Sequence, residues 1–385
     1  MLLAFVIAAA SLAVWLYLVG AHGAFWRASE RDDRDVPPAP AVWPEVVAVI
    51  PARDEADSIG ETVRSLLAQD YPGRLSIVLV DDQSTDGTAT IAAQAAAAAG
   101  AQERLTVVSG QPRPAGWSGK VWAMHQGVEQ LAGHPPAYVL FTDADIAYEP
   151  DALRPLMARA VAHRLVLTSL MVKLRCQSLA ERMFIPAFIF FFQMLYPFPW
   201  VNRPGHKTAG AAGGCMLVRH DALVAAGGMA AIRSALIDDC ALGRNLKAIG
   251  PIWLGLTERV QSLRPYPRIA DIRRMVARTA YDQLGYSPLL LAGTVAGLSL
   301  TYLAPPFLTV FASGWPQLLG AIAWGLMALA FWPTLRLYRL SPLWGIALPG
   351  IALVYMAFTL DSAYQHARGR GGLWKGRVQA NTGLR

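Results

Sequence analysis

Four short apolar runs, at residues 46–50, 75–80, 105–108 and 138–142, do most to limit what this chain can fold into. They are rich in Val, Leu and Ile, with only Ser76, Thr106 and Thr142 polar, and they do not alternate. That pattern marks strands buried on both faces. The stretches between them read as helices. Ser58-Ile59-Gly60-Glu61 fits a capping box and opens a helix to about Gln69. An alanine-rich helix stops at Gly100, and a third follows Lys120 and ends near Gly133. Alternating strands and helices predict an α/β fold, a sheet with helices on both faces. Further on, residues 165–170 and 215–219 read as strands, and Gly210 to Gly214 as a flexible loop between them.

Two of the strands end in carboxylates. Asp81-Asp82 closes the second, and Asp143-Ala144-Asp145 closes the fourth. In a parallel sheet both ends lie at one edge, where open α/β sheets bind ligands. Unneutralised, four acids there would repel, so convergence requires a cation or hydrogen-bond donors from a bound base or ribose. A hard divalent cation takes oxygen ligands and usually bridges to substrate phosphates. A lone D-x-D is equally a polar loop in which Asp145 caps a helix. Asp238-Asp239 opens another helix, ending at Gly250. There an acid either caps the helix and favours its dipole, or serves as a general base toward a hydroxyl. Lys120 reads as a phosphate contact or an ordinary surface lysine. The histidines form no zinc pattern or triad, and His125 is expected to be structural.

Charged residues make up only 16% of the 385, against about 25% in soluble domains, and the net charge is +7. Part of the chain is therefore expected in lipid. The scattered basic residues suit an anionic membrane surface or phosphorylated substrate rather than nucleic acid. Residues 2–19 are uncharged and long enough to span, and no basic residue precedes Arg27, unlike a signal peptide. Arg27, Arg31 and Arg34 then place the following domain in the cytoplasm. Residues 289–311, 318–332 and 343–360 are also near spanning length, with Pro305-Pro306 and Pro349-Gly350 as interruptions. Strict alternation puts the tail outside, yet its five basic residues favour the inside. A re-entrant last segment, broken at Pro349-Gly350, resolves this. The expected organisation is an anchor (1–35), a proline-rich linker (36–45) and a catalytic domain (46–267). An amphipathic basic helix (268–287), transmembrane segments (288–362) and a basic tail (363–385) follow. The aromatic stretch 183–200 reads as an interfacial helix or a buried core helix. Three cysteines without ligand spacing suit a reducing compartment.

In order and spacing, Ile50-Pro51-Ala52-Arg53-Asp54-Glu55, Asp81-Asp82, Asp143-Ala144-Asp145 and Asp238-Asp239 resemble the successive motifs of inverting family 2 glycosyltransferases. The resemblance implies a GT-A fold, a Rossmann-like mixed sheet with helices on both faces, here flanked by transmembrane helices. It implies a nucleotide-sugar donor, a UDP-sugar by preference, and Mg²⁺ or Mn²⁺. Pro51, Arg53 and Glu55 would line the nucleotide pocket, with Asp81 and Asp82 at the base. Asp143 and Asp145 would hold ribose and metal, and Asp239 would be the base beside Asp238. The family's Gln-x-x-Arg-Trp motif keeps only Arg278 here, which argues against a processive polymerase. A narrower likeness, in Gly116-Trp117-Ser118-Gly119-Lys120 and in the tail with Trp374 and Arg377, is to hopanoid-biosynthesis-associated glycosyltransferases. It implies a hopanoid-like or related isoprenoid or glycolipid acceptor, met by Arg278, Trp374 and Arg377. It also makes Lys120 a donor contact and keeps the tail cytoplasmic.

The expected function is sugar transfer from a nucleotide diphosphate to a lipid at the inner (cytoplasmic) membrane. A nucleotidyltransferase on a similar sheet would instead release pyrophosphate. A non-catalytic nucleotide-binding scaffold would not need Asp239.

Overall fold

A computed structural model describes residues 1–369. Of the remaining tail it describes only the backbone pairing of β9 (Leu373–Trp374) with β10 (Arg377–Val378). Trp374 and Arg377 therefore have side chains outside the described residues.

Eight strands form one mixed sheet: β1 (Val46–Ala52), β2 (Leu75–Asp81), β3 (Leu105–Ser109), β4 (Tyr138–Phe141), β5 (Ile146–Tyr148), β6 (Leu167–Lys173), β7 (Met216–Arg219) and β8 (Ile252–Ser262). Their spatial order is β3-β2-β1-β4-β7-β6-β8-β5. β1 to β4 are mutually parallel, β7 is antiparallel to β4 and β6, and β5 is antiparallel to β8. The parallel half is thus the expected one, and the antiparallel half makes the sheet mixed.

Helix α1 (Leu2–Gly20) precedes the sheet. Helices α2 (Ile59–Leu67), α3 (Thr88–Ala98), α4 (Gly119–Glu129) and α5 (Leu153–Ala162) link the strands up to β6. Between β6 and β8 lie α6 (Leu179–Leu195), α7 (Phe198–Val201), α8 (His220–Ala225) and α9 (Asp238–Ile249). Helices α10 (Ile269–Ala277), α11 (Pro288–Leu298), α12 (Ala304–Phe311), α13 (Trp315–Leu337) and α14 (Leu348–Ala367) follow β8.

The period of two along the strands sorts side chains to two cores. Val47, Val49, Val139 and Phe141 face Val121 and Met124 of α4 and Leu242 and Leu246 of α9. Val46, Ala48, Ile50 and Leu140 face Ile59, Val63 and Leu66 of α2 and Met157 of α5. Both faces of β1 and β4 are covered, which is why they read as apolar runs, whereas β3, at the edge of the sheet, leaves Thr106, Val107 and Ser109 exposed and corrects the expectation of burial on both faces.

Several local expectations change. Ser58 makes no cap, because its hydroxyl turns back to Glu55, while Glu61 pairs with Arg64 at 2.7 Å. A full capping box forms instead at Ser178, with Glu181 as its partner. The Gly210 to Gly214 loop is packed rather than flexible. A Cβ on Gly214 would lie 2.9 Å from Val172, and one on Gly243 of α9 would lie 3.2 Å from the Gly210 backbone. The glycines let helix and loop backbones approach.

By length and composition, Leu2–Gly20, Leu179–Val201, Pro288–Phe311 and Trp315–Leu337 are long and apolar enough to cross a bilayer. Pro305-Pro306 does not break its segment. A π turn at Ser299–Leu303 precedes the prolines. Pro305 has no N–H for the carbonyl four residues back, and the Trp15 indole donates to that Thr301 carbonyl at 2.8 Å. Pro349 lies in the first turn of α14, where a missing N–H costs nothing, and α14 continues unbroken to Ala367. Helix α6 joins the two halves of the molecule. Its Ile185 and Ile189 enter the sheet core, and its Phe184 and Phe190 pack among α1, α13 and α14. The basic helix expected from Arg268 onward is shorter than predicted and ends at Ala277. It buries Ile272 and Val276 and keeps Arg273 and Arg274 outward.

Candidate active site

Two loops leave the sheet edge side by side after β1 and β2 and are laced by side chain to backbone hydrogen bonds. The Asp54 N–H donates to Ser84 Oγ, that of Glu55 to Thr88 Oγ1, and that of Ala56 to Asp86, each at 2.9 Å. Asp54 (φ 49°) and Gln83 (φ 59°) occupy the left-handed region, so both loops turn sharply. Arg53 donates to the Asp82 carbonyl and lies 3.6 Å from its buried carboxylate, and Asp81 accepts from the Ser84 N–H at 3.0 Å. Arg53, Asp81 and Asp82 thus form one unit. Strand β1 separates β2 from β4, so this unit does not line the cavity at the D-x-D. The expected convergence of four acids is corrected to two neighbouring groups.

That cavity holds about 260 Å³ and is lined by Pro51, Glu55, Lys120, Asp143, Asp145, Asp238, Asp239, Arg264 and Arg278. Asp145 is the most enclosed of the D-x-D pair, 8% exposed. Its partner was not foreseen. The Arg264 Nε donates to Asp145 at 2.6 Å, and its Nη2 to Glu55 at 2.7 Å. Arg264 follows β8, and the antiparallel register Ile146↔Ser262 sets it against the D-x-D. No local signal near residue 264 announces this, because the pairing is between distant strands.

The Lys120 Nζ lies 2.8 Å from Asp143 and 3.2 Å from Asp238. Burial disfavours its charge, but these two carboxylates outweigh that and raise its pKa. Lys120 is therefore an internal cation, not a surface one. The Asp238 Oδ2 is buried and has no hydrogen bond in good geometry. Asp239 is held by backbone: Gly213 N–H donates to Oδ2 at 2.9 Å and Cys240 N–H to Oδ1 at 2.7 Å. Burial and the like charge of Asp238 push its pKa up to about 6, against the pull of Lys120 and the two N–H groups. Gly213 stands so close that a Cβ there would lie 3.1 Å from Lys120 Nζ. His125 stacks on Trp117 with ring centroids 4.7 Å apart, a structural role.

A second cavity, of about 410 Å³, shares Lys120, Asp143, Asp238, Asp239 and Arg278 with the first. It continues between α6, α10, α11 and α14, where Phe188, Phe191, Leu195, Val276, Leu298 and Tyr355 make it apolar. Asp239 thus stands where a polar chamber meets an apolar one. Arg278 is exposed at this junction, in the lining of both cavities.

No group of three His, Cys, Asp or Glu side chains converges at metal distance among the described residues. The first cavity nonetheless carries five carboxylates against three cationic side chains, an excess of two negative charges. Mg²⁺ and Mn²⁺ take one or two carboxylates and complete their shell with phosphate and water. The donor set at Asp143 and Asp145 therefore fits a cation that arrives with a diphosphate.

Residues 47–225 match the family model for glycosyl transferase family 2. Among curated proteins, the chain is 35% identical over 112 residues to the putative teichuronic acid biosynthesis glycosyltransferase TuaG of Bacillus subtilis (strain 168). That stretch is 29% of this chain, which spans 40% of the length of that relative. Among solved structures, the chain is similar to the mannosyltransferase PcManGT from Pyrobaculum calidifontis, in complex with GDP-Man and Mn²⁺. The TM-score is 0.56 at 19% identity, over 97% of this chain and 100% of that one. At such identity the likeness concerns the fold. Residues 47–225 thus match the glycosyl transferase family 2 model, and they lie on a GT-A-like mixed sheet.

Proposed function

We propose that the protein is a membrane-bound inverting glycosyltransferase that moves a sugar from a nucleotide diphosphate, a UDP-sugar by preference, to a hydroxyl of a lipid. The observation that carries this reading is the position of Asp239, at the join of the polar and apolar cavities. The polar side suits a charged donor. The apolar side suits a hydrocarbon acceptor, because burying each methylene there is worth about 0.8 kcal/mol. A hopanoid-like or related isoprenoid lipid has the chemistry required, and the inner membrane, with the sheet domain cytoplasmic, is the setting proposed.

In this reading the laced loops with Arg53, Asp81 and Asp82 take the nucleoside, while Pro51 and Glu55 bound the donor. Lys120 meets the diphosphate. Asp145, with Asp143, would hold Mg²⁺ or Mn²⁺, which when bound supplies Lewis-acid stabilisation of the leaving diphosphate. Asp239 accepts the proton of the acceptor hydroxyl. The hydroxyl oxygen bonds to the anomeric carbon, the bond from that carbon to the diphosphate oxygen breaks, and the electron pair leaves with the nucleoside diphosphate. Two backbone N–H groups fix the carboxylate, so the base is aimed before substrate arrives. Asp238 Oδ2, buried and 3.2 Å from Lys120, would accept from a sugar hydroxyl in this reading. Arg278 stands at the acceptor mouth, and Trp374 and Arg377 of the tail are proposed as further acceptor contacts.

A hydrolysis screen tests the donor half. Purified protein with Mn²⁺ and a set of UDP- and GDP-sugars should release nucleoside diphosphate from one of them, faster when lipid extract is added. No turnover with any donor would count against the proposal. Release of pyrophosphate would point to nucleotidyl transfer instead.

A further inference from the structure

An enclosed cation in a site made for a diphosphate needs a partner while the diphosphate is away. For Lys120 those partners are Asp143 and Asp238. For Arg264 they are Asp145 and Glu55, at 2.6 and 2.7 Å. The second pair matters because Asp145 is also the carboxylate best placed to ligate a divalent cation. One Asp145 oxygen is already committed to the guanidinium, which stays charged at any working pH. The backbone reinforces this contact, since the Leu263 N–H donates to the Asp145 carbonyl at 2.7 Å. A divalent cation arriving alone would have to displace a short, charge-assisted contact in a largely enclosed place.

We propose that Arg264 is a displaceable counter-cation of Asp145, so that the divalent cation enters together with the nucleoside diphosphate and not before it. The guanidinium is anchored at its other end on Glu55. Released by Asp145, it turns toward the diphosphate, which is the stronger partner for its fork. Arg264 is thus a positioning residue that couples metal binding to donor binding. The inference rests on the donor site proposed above.

Mn²⁺ binding to the detergent-purified full chain tests it, read by the paramagnetic resonance signal of free Mn²⁺, alone and with UDP or GDP. Wild type should bind Mn²⁺ weakly alone and tightly with the diphosphate. Arg264→Gln should tighten nucleotide-free Mn²⁺ binding on the order of tenfold and weaken UDP or GDP binding in Mn²⁺ by a similar factor. Arg264→Lys, a point charge that cannot span both carboxylates, should fall between them. Nucleotide-free Mn²⁺ affinity that is unchanged or weaker in Arg264→Gln would overturn the inference. So would wild type that binds Mn²⁺ equally well without diphosphate, a result that needs no variant to fold. Wild type that binds neither Mn²⁺ nor either diphosphate would remove the donor-site reading as well.

Discussion

Asp239→Asn should make the protein more stable at neutral pH while it abolishes turnover. The carboxyl has an ordinary value of 3.8 and is held at about 6 in the folded chain, chiefly by burial and then by Asp238. Between these values the folded state binds the proton and the unfolded state has released it. Stability therefore falls as pH rises through this window. The penalty is absent below 3.8 and complete above about 6. A gap of about two pH units corresponds to about 3 kcal/mol. The amide never ionises, so it escapes that cost. It keeps only one acceptor, however, for the two N–H groups of Gly213 and Cys240, a loss of about 1–2 kcal/mol. The net expectation is a gain of about 1–2 kcal/mol above pH 7, or a rise of about 1–2 °C in the thermal midpoint. At pH 4 the gain should vanish or reverse. Thermal unfolding followed by tryptophan fluorescence at pH 7.5 and pH 4 measures both. A variant destabilised equally at the two pH values would refute the argument, since the carboxylate would then be a favourable structural charge.

Three further outcomes follow from the same contacts. The kcat/KM for transfer should rise about tenfold per pH unit below about 6 and level off above it, because only ionised Asp239 takes the proton. Asp238→Asn should lower that midpoint and Lys120→Gln should raise it; three identical profiles would detach the limb from Asp239. Glu181 accepts backbone N–H groups from Gln177, Ser178 and Tyr266 at 2.7–2.8 Å, so Glu181→Ala should cost about 3 kcal/mol in thermal unfolding and Glu181→Gln clearly less. Trp15→Phe strands the Thr301 carbonyl that Pro305 leaves open, at about 1 kcal/mol; adding Pro305→Ala should recover part of it, and strictly additive effects would contradict the account.

The parts of this site that are local in sequence could be read from it. Each acid that ends a parallel strand sits where an apolar run stops, and Asp238-Asp239 opens a helix as its position suggests. What depends on distant pairing could not. Arg264 meets Asp145 only because β8 runs antiparallel to β5. Asp81 and Asp82 stand apart from the D-x-D only because β1 intervenes. The glycines near 213 read as flexibility, since sequence does not tell a loop free in solvent from one pressed against α9. The prolines read as breaks for a similar reason. A first-turn position, or an indole from another helix, satisfies what a proline leaves undone, and neither is visible from the proline itself. The apolar cavity is the most dispersed feature, with walls from α6, α10, α11 and α14.

Whether Asp239 activates a lipid hydroxyl where the two cavities meet is tested by single-turnover transfer of labelled sugar to lipid extract by wild type and Asp239→Asn, with donor affinity measured on the same samples. Wild type should give a labelled lipid product. The variant should lose a factor on the order of a hundred or more, with donor affinity within a few-fold of wild type. Labelled lipid formed equally well by Asp239→Asn would contradict that role.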